Sequence, residues 1–133
     1  MIIIDINSKP QELETCKVYV PDGYSLSETY AEELSDGTVT PLDLTTVLPI
    51  IYTVKKYGSN EDIEKVLPAG ETNANGLEIT GANNDKLTIS VTAAELANPV
   101  MITHNHYLEI TFGAGCDDIA WFGSIEFRNL FST

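Results

Sequence analysis

Strict alternation of apolar and polar residues constrains this chain more than any other feature. In 86–92, KLTISVT, Leu87, Ile89 and Val91 fall on one side and Thr88 and Ser90 on the other. Side chains alternate across a strand but wind around a helix, so the pattern predicts a strand with one face buried. Leu77 and Ile79 alternate in the same way just upstream. The intervening Gly81-Ala82-Asn83-Asn84-Asp85 supplies residues that tolerate positive φ. Residues 76–92 therefore predict a β-hairpin. Thr92-Ala93-Ala94-Glu95 follows as a capping box, with Thr at the N-cap and Glu three residues on. Asn98-Pro99 stops any helix after about one turn. The expectation is a single helical turn near 92–97 that carries the chain from one sheet to the other.

The same period recurs along the chain. In 101–112, MITHNHYLEITF, Ile102, His104, His106, Leu108, Ile110 and Phe112 share one parity. In 119–127, Ile119, Trp121, Ile125 and Phe127 share another, and the two runs predict a closing hairpin. Leu48, Ile50, Tyr52 and Val54 mark a strand over 47–57. Tyr24, Leu26 and Tyr30 mark one more, and Cys16, Val18 and Val20 a short one. IIIDI at the start also suits a strand. The stretch 59–67, SNEDIEKVL, fits a short helix or a strand equally. About seven to nine short strands at regular spacing, with no sustained helical pattern, predict an all-β fold, a single antiparallel β-sandwich. Residues 1–23 read as an N-terminal strand or arm, and 24–133 as the sandwich.

Composition narrows the function. The 133 residues carry 20 acidic side chains against 7 basic ones, a net charge of −13. Phosphate backbones are bound by Lys and Arg, so no nucleic-acid partner is expected, and no anionic membrane for the same reason. The N-terminus lacks the basic segment of a signal peptide, and no run reaches the length of a membrane span. Cys16 and Cys116 form no metal or redox motif and read as two buried thiols.

His104-Asn105-His106 is the one pattern with metal-ligand character, because alternation points both imidazoles the same way. Glu109 has the opposite parity and there is no third histidine, so His104 and His106 read first as a structural pair at a strand end and only weakly as metal ligands. The clusters Glu28, Glu32, Glu33 and Glu61, Asp62, Glu64 read as solvated faces, and Asp117-Asp118 as a turn. Tyr19, Tyr24, Tyr30, Tyr52, Tyr57 and Tyr107 are candidates for sugar stacking, weighed against core and cross-strand packing. No cofactor is implied.

With the strands placed, DGTVTPLDLT at 36–45, the hairpin GLEITGANNDKLTISVT, the turn AAEL, and the strands YLEITF and SIEF form a recognisable order. It resembles the small immunoglobulin-like domains of tailed-bacteriophage structural proteins. Among these are the N-terminal domain of the phage baseplate upper protein and related head-fibre and tail-fibre domains. Leu87, Thr88, Ile89, Thr92, Ala93, Ala94, Glu95, Tyr107, Glu109 and Ile110 carry the match, which spans about residues 24–128. The resemblance implies an immunoglobulin-like sandwich and a non-enzymatic virion structural protein that docks to other virion proteins and to itself. It brings no catalytic residue, and the N-terminal 1–23 departs from it. The expected contacts are the apolar Ile2, Ile3, Ile4 and Ile6, together with edge strands that add to a neighbour's sheet. Two other functions stay open: a carbohydrate-binding or host-adhesion module, and a small metal-dependent β-barrel enzyme centred on His104 and His106.

Overall fold

The alternation resolves into two stacked sheets. A computed structural model describes residues 1–4, 10–20, 23–55, 62–96, 103–112 and 116–129. In chain order the strands are β1 (Ile2–Ile4), β2 (Gln11–Glu12), β3 (Cys16–Val20), β4 (Tyr24–Glu33), β5 (Val39–Pro41), β6 (Ile50–Lys55), β7 (Ile63–Leu67), β8 (Asn73–Ala74), β9 (Leu77–Thr80), β10 (Lys86–Val91), β11 (Thr103–Phe112) and β12 (Cys116–Asn129). One sheet runs β1-β4-β10-β9-β8, with β5 also on β4; the other runs β2-β12-β11-β6-β7, with β3 also on β12. The fold is an all-β sandwich. Its only helical pieces among the described residues are 3-10 turns at Leu44–Thr46 and Ala94–Leu96.

The hairpin expected at 76–92 forms, with Leu77 opposite Ile89 and Ile79 opposite Leu87. Gly81 closes it at φ 95° and Asn84 at φ 53°, the left-handed conformation that Gly and Asn accept most easily. The capping box also forms. The Thr92 N–H donates to Glu95 Oε1 at 3.1 Å and the Glu95 N–H to Thr92 Oγ1 at 3.3 Å. The turn it caps leads from β10 in the first sheet to β11 in the second. The ambiguous 59–67 resolves, over its described part, into the strand Ile63–Leu67.

Three details differ from expectation. The sandwich is mixed rather than wholly antiparallel, because β1 runs parallel to β4, and β2 and β3 run parallel to β12. All three parallel strands come from the first 23 residues, which supply strands to both sheets instead of forming a separate arm. Ile2 and Ile4 are 1 % and 6 % exposed and lie in the core, so their side chains serve this molecule's own interior; each buried isoleucine contributes roughly 1.5–3 kcal/mol. Ile3 points outward, and Ile6 lies outside the described residues. Ile119 is 40 % exposed rather than sharing the core face of Trp121. The cause is a bulge: Leu108 opposes Trp121 while Glu109 opposes Ile119, so Ala120 is an extra residue that resets the parity. Cys16 sits beside Ile125 on β12, nine residues along the strand from Cys116. That separates the two cysteine backbones by about 25–30 Å, well beyond disulfide reach.

Candidate functional site: a cleft between the sheets

On β11, alternation turns His104, His106, Leu108 and Ile110 inward, as the sequence predicts. The two histidines then part company. His104 donates from Nδ1 to the Lys55 carbonyl at 3.2 Å and packs its ring on Phe127, with centroids 5.2 Å apart. His106 lies at the centre of an aromatic cluster. Its ring meets Trp121 edge-on at 5.0 Å and Tyr52 at 5.8 Å. Its Nδ1 shares a hydrogen bond with the Tyr52 hydroxyl at 2.9 Å, and that hydroxyl bonds the Tyr24 hydroxyl at 2.7 Å. A second bond joins the sheets alongside: the Trp121 indole N–H donates to the Tyr30 hydroxyl at 2.8 Å.

Burial sets the electrostatics. Desolvation pushes the His106 pKa down to about 4, so the imidazole is neutral at neutral pH. Desolvation also raises Tyr24, Tyr30 and Tyr52, which keep their protons. The Tyr24–Tyr52–His106 chain is therefore a row of neutral groups that can point its protons either way. In one sense Nε2 of His106 carries a hydrogen; in the other it is a bare acceptor.

The two histidines do share a face, but no group of three His, Cys, Asp or Glu side chains is arranged to hold a metal among the described residues. Glu109 faces the opposite side of the sheet, as its parity requires. Of the tyrosines considered for sugar stacking, Tyr30 and Tyr52 are fully buried and Tyr24 is half-buried with its hydroxyl bonded inward. Tyr107 lies half-buried on the outer face opposite Phe122. Tyr57 and the Tyr19 side chain lie outside the described residues.

A cleft of about 440 Å³ opens onto this cluster between β4 and the β2–β3 segment. Leu26, Leu87 and Ile89 form one wall, and Leu13 and Cys16 the other. Tyr30, Trp121 and His106 form the floor. Burial raises the pKa of the Cys16 thiol, so it is not an activated nucleophile. Glu12, Glu14 and Glu28 are among the lining residues, and among the described residues no Lys or Arg lines the cleft. The Glu28 carboxylate lies 3.6 Å from the Met1 amino group. Sequence reasoning missed this site because five of its fourteen lining residues come from the stretch read as an arm. One signal was present. Gly123 has the inward parity of Trp121 and Ile125, and a glycine there leaves a gap in the core face opposite His106.

Comparison with known proteins gives a likeness of fold. No protein-family model matches the sequence, and no curated protein matches it. Among solved structures, the N-terminal domain of phage TP901-1 ORF48 superposes with a TM-score of 0.50 at 9 % identity, covering 96 % of this chain and 96 % of that one. A chain in a structure of T cell activation by the bacterial superantigen toxic shock syndrome toxin-1 reaches a TM-score of 0.40 at 12 % identity, over 90 % of this chain and 94 % of that one, and at that score carries no argument.

Proposed function

We propose that this chain is a non-enzymatic bacteriophage virion structural protein that acts as a docking module in the tail, the baseplate or the attachment of head decorations and fibres. The observation that carries the reading is the end-to-end likeness to the domain of a phage protein, covering 96 % of both chains. The LTI…TAAE hairpin and turn, with the YLEITF strand, point the same way from sequence. The immunoglobulin-like assignment implied by that resemblance belongs to the same proposal.

The docking mechanism is addition of a partner strand. β4 pairs with β10 along Tyr24–Thr29 on one flank, while β1 covers only Tyr30–Glu32 on the other. Among the described residues no strand pairs with the second flank over Tyr24–Thr29. A partner strand laid there would satisfy backbone groups and continue the line begun by β1. Ser25, Ser27 and Thr29 are exposed along this edge.

Mass spectrometry of gradient-purified particles from a host that encodes the chain tests the reading. The chain should be present at a fixed ratio to the other particle proteins. A photo-crosslinking residue replacing Ser27 should capture one of them. If the chain is absent from purified particles, the reading is wrong.

A further inference from the structure

The two sides of the sandwich are finished differently. On one side the outer strands are guarded. β8 is two residues long, and β7 turns the buried Lys65 inward, where its ammonium meets Glu95 at 2.6 Å. The Asn75 carboxamide N–H also donates to the Val66 carbonyl of β7 at 2.7 Å. Short strands, an inward charge and a capped carbonyl all keep an edge from pairing. On the other side, among the described residues, no strand pairs with the second flank of β4 over Tyr24–Thr29. That bare flank is the lip of the cleft, which Ser25, Leu26, Ser27 and Glu28 all line.

Below the same flank lies an unused hydrogen-bonding atom. His106 is 2 % exposed, and its Nε2 is the one buried side-chain nitrogen or oxygen without a hydrogen-bond partner among the described residues. A buried polar atom without a partner costs roughly 1–3 kcal/mol, and native folds rarely leave one without a reason. Gly123 leaves a hollow beside it: a Cβ there would stand 3.3 Å from Nε2 and 3.3 Å from the Leu13 carbonyl oxygen. The far wall of the hollow is firm, because the Leu13 N–H donates to the Phe122 carbonyl at 2.8 Å.

Ile2 shows what a residue in the line of the missing strand does. It stands beside Tyr30 on this flank, turns inward and is 1 % exposed. Side chains directly opposite one another share a face, so a partner residue beside Leu26 turns inward too. We propose, on the docking reading above, that the cleft receives a tyrosine side chain of the strand that pairs with β4, its ring between Leu26 and Leu13 and its hydroxyl on His106 Nε2. The apolar walls call for an apolar body and the floor for a polar tip, and tyrosine joins the two. The tip is a hydroxyl because the Tyr24–Tyr52–His106 chain can carry its protons in either sense. A hydroxyl donates to a bare Nε2 and accepts from a protonated one, whereas an indole N–H or a carbonyl oxygen serves one sense only. A neutral phenol also needs no counter-ion in the cleft. A volume of about 440 Å³ has room for one aromatic side chain.

The tyrosine side chain alone, as p-cresol, tests the cleft without the partner. Titrated into the full chain labelled with ¹⁵N at histidine, p-cresol should shift the His106 Nε2 resonance saturably and leave the His104 resonances in place. Toluene, the same ring without the hydroxyl, should bind about fivefold more weakly and leave Nε2 unshifted. Leu26→Asp, at a half-buried wall position, should abolish p-cresol binding while urea unfolding stays cooperative. His106→Phe should bind toluene and p-cresol alike. The segment captured by the crosslinker at Ser27 should carry a tyrosine within about two residues of the crosslinked position. A linear, non-saturating shift, equal affinity of the wild-type chain for toluene and p-cresol, or a captured segment without that tyrosine would each overturn the proposal. The two readings fail separately. Absence of p-cresol binding removes the tyrosine anchor and leaves strand addition and particle association untouched. Binding of p-cresol by a chain absent from particles removes the docking reading and leaves a phenol site.

Discussion

The depressed pKa of His106 makes stability depend on pH in a defined window. In the native state the ring is neutral down to about pH 4, whereas an unfolded histidine takes up its proton near pH 6.5. Below about pH 6.5 the unfolded chain therefore binds more protons than the native one, and acid favours unfolding. The stabilisation is complete above the unfolded pKa and is lost as pH falls toward the native value. Between about pH 7.5 and about pH 5.0, integrating the two titrations gives a loss of about 2 kcal/mol from this residue alone. Carboxylates add their own dependence at lower pH, so the measurement has to be differential. His106→Gln keeps a polar partner for the Tyr52 hydroxyl but removes the titration. Urea unfolding followed through Trp121, the chain's one tryptophan and fully buried, gives stability at each pH for both proteins. The advantage of wild type over the variant should shrink by about 2 kcal/mol across that range. Parallel curves would show that His106 titrates alike in both states, and the argument from its burial would be refuted.

Three further outcomes follow from the core. Ile2→Ala should cost about 2–4 kcal/mol in urea unfolding, while Ile3→Ser stays within about 0.5 kcal/mol; an unchanged stability for Ile2→Ala would return the first strand to the role of a free arm. Lys65 is buried, with its Nζ 2.6 Å from the Glu95 carboxylate, which is itself about one-third exposed. Glu95→Ala should therefore cost about 1–2 kcal/mol, more than Lys65→Met, because it strands a buried charge whereas the methionine removes it; the reverse order in thermal melts would contradict this. Gly76 has φ 82° and a Cβ there would meet the Ser90 carbonyl oxygen at 2.5 Å, so Gly76→Ala should lower the urea midpoint by an amount equivalent to about 2 kcal/mol or more.

Period-2 alternation tells which face a residue takes, and it does so wherever the strand is regular. That is why β9, β10 and β11 and the inward turn of His104, His106 and Trp121 are legible in the sequence. It fails where a local irregularity resets the count, as the bulge at Ala120 does for Ile119. It also blurs where an inward position carries a charge. Lys65 sits between Ile63 and Leu67 on the inner face of β7, and a lysine there hides the strand until Glu95 is seen to pair with it. Glu95 was legible as a capping residue, but its second partner lies thirty positions away on the other sheet.

What alternation never specifies is the neighbour. Nothing in IIIDI says that β1 will lie parallel to β4, or that Gln11 to Val20 will flank β12. The cleft is made by those pairings. Glu12 and Glu14 come from the unassigned N-terminal stretch, Leu26 and Glu28 from the uncovered flank of β4, and His106 from the middle of the other sheet. Each residue was visible alone, yet the site exists only where two sheet edges face each other. The one local trace is Gly123, a missing side chain on an otherwise large and apolar face. In a sandwich packed to native density such an omission leaves room for something else, and here the room adjoins the one buried nitrogen with no partner among the described residues.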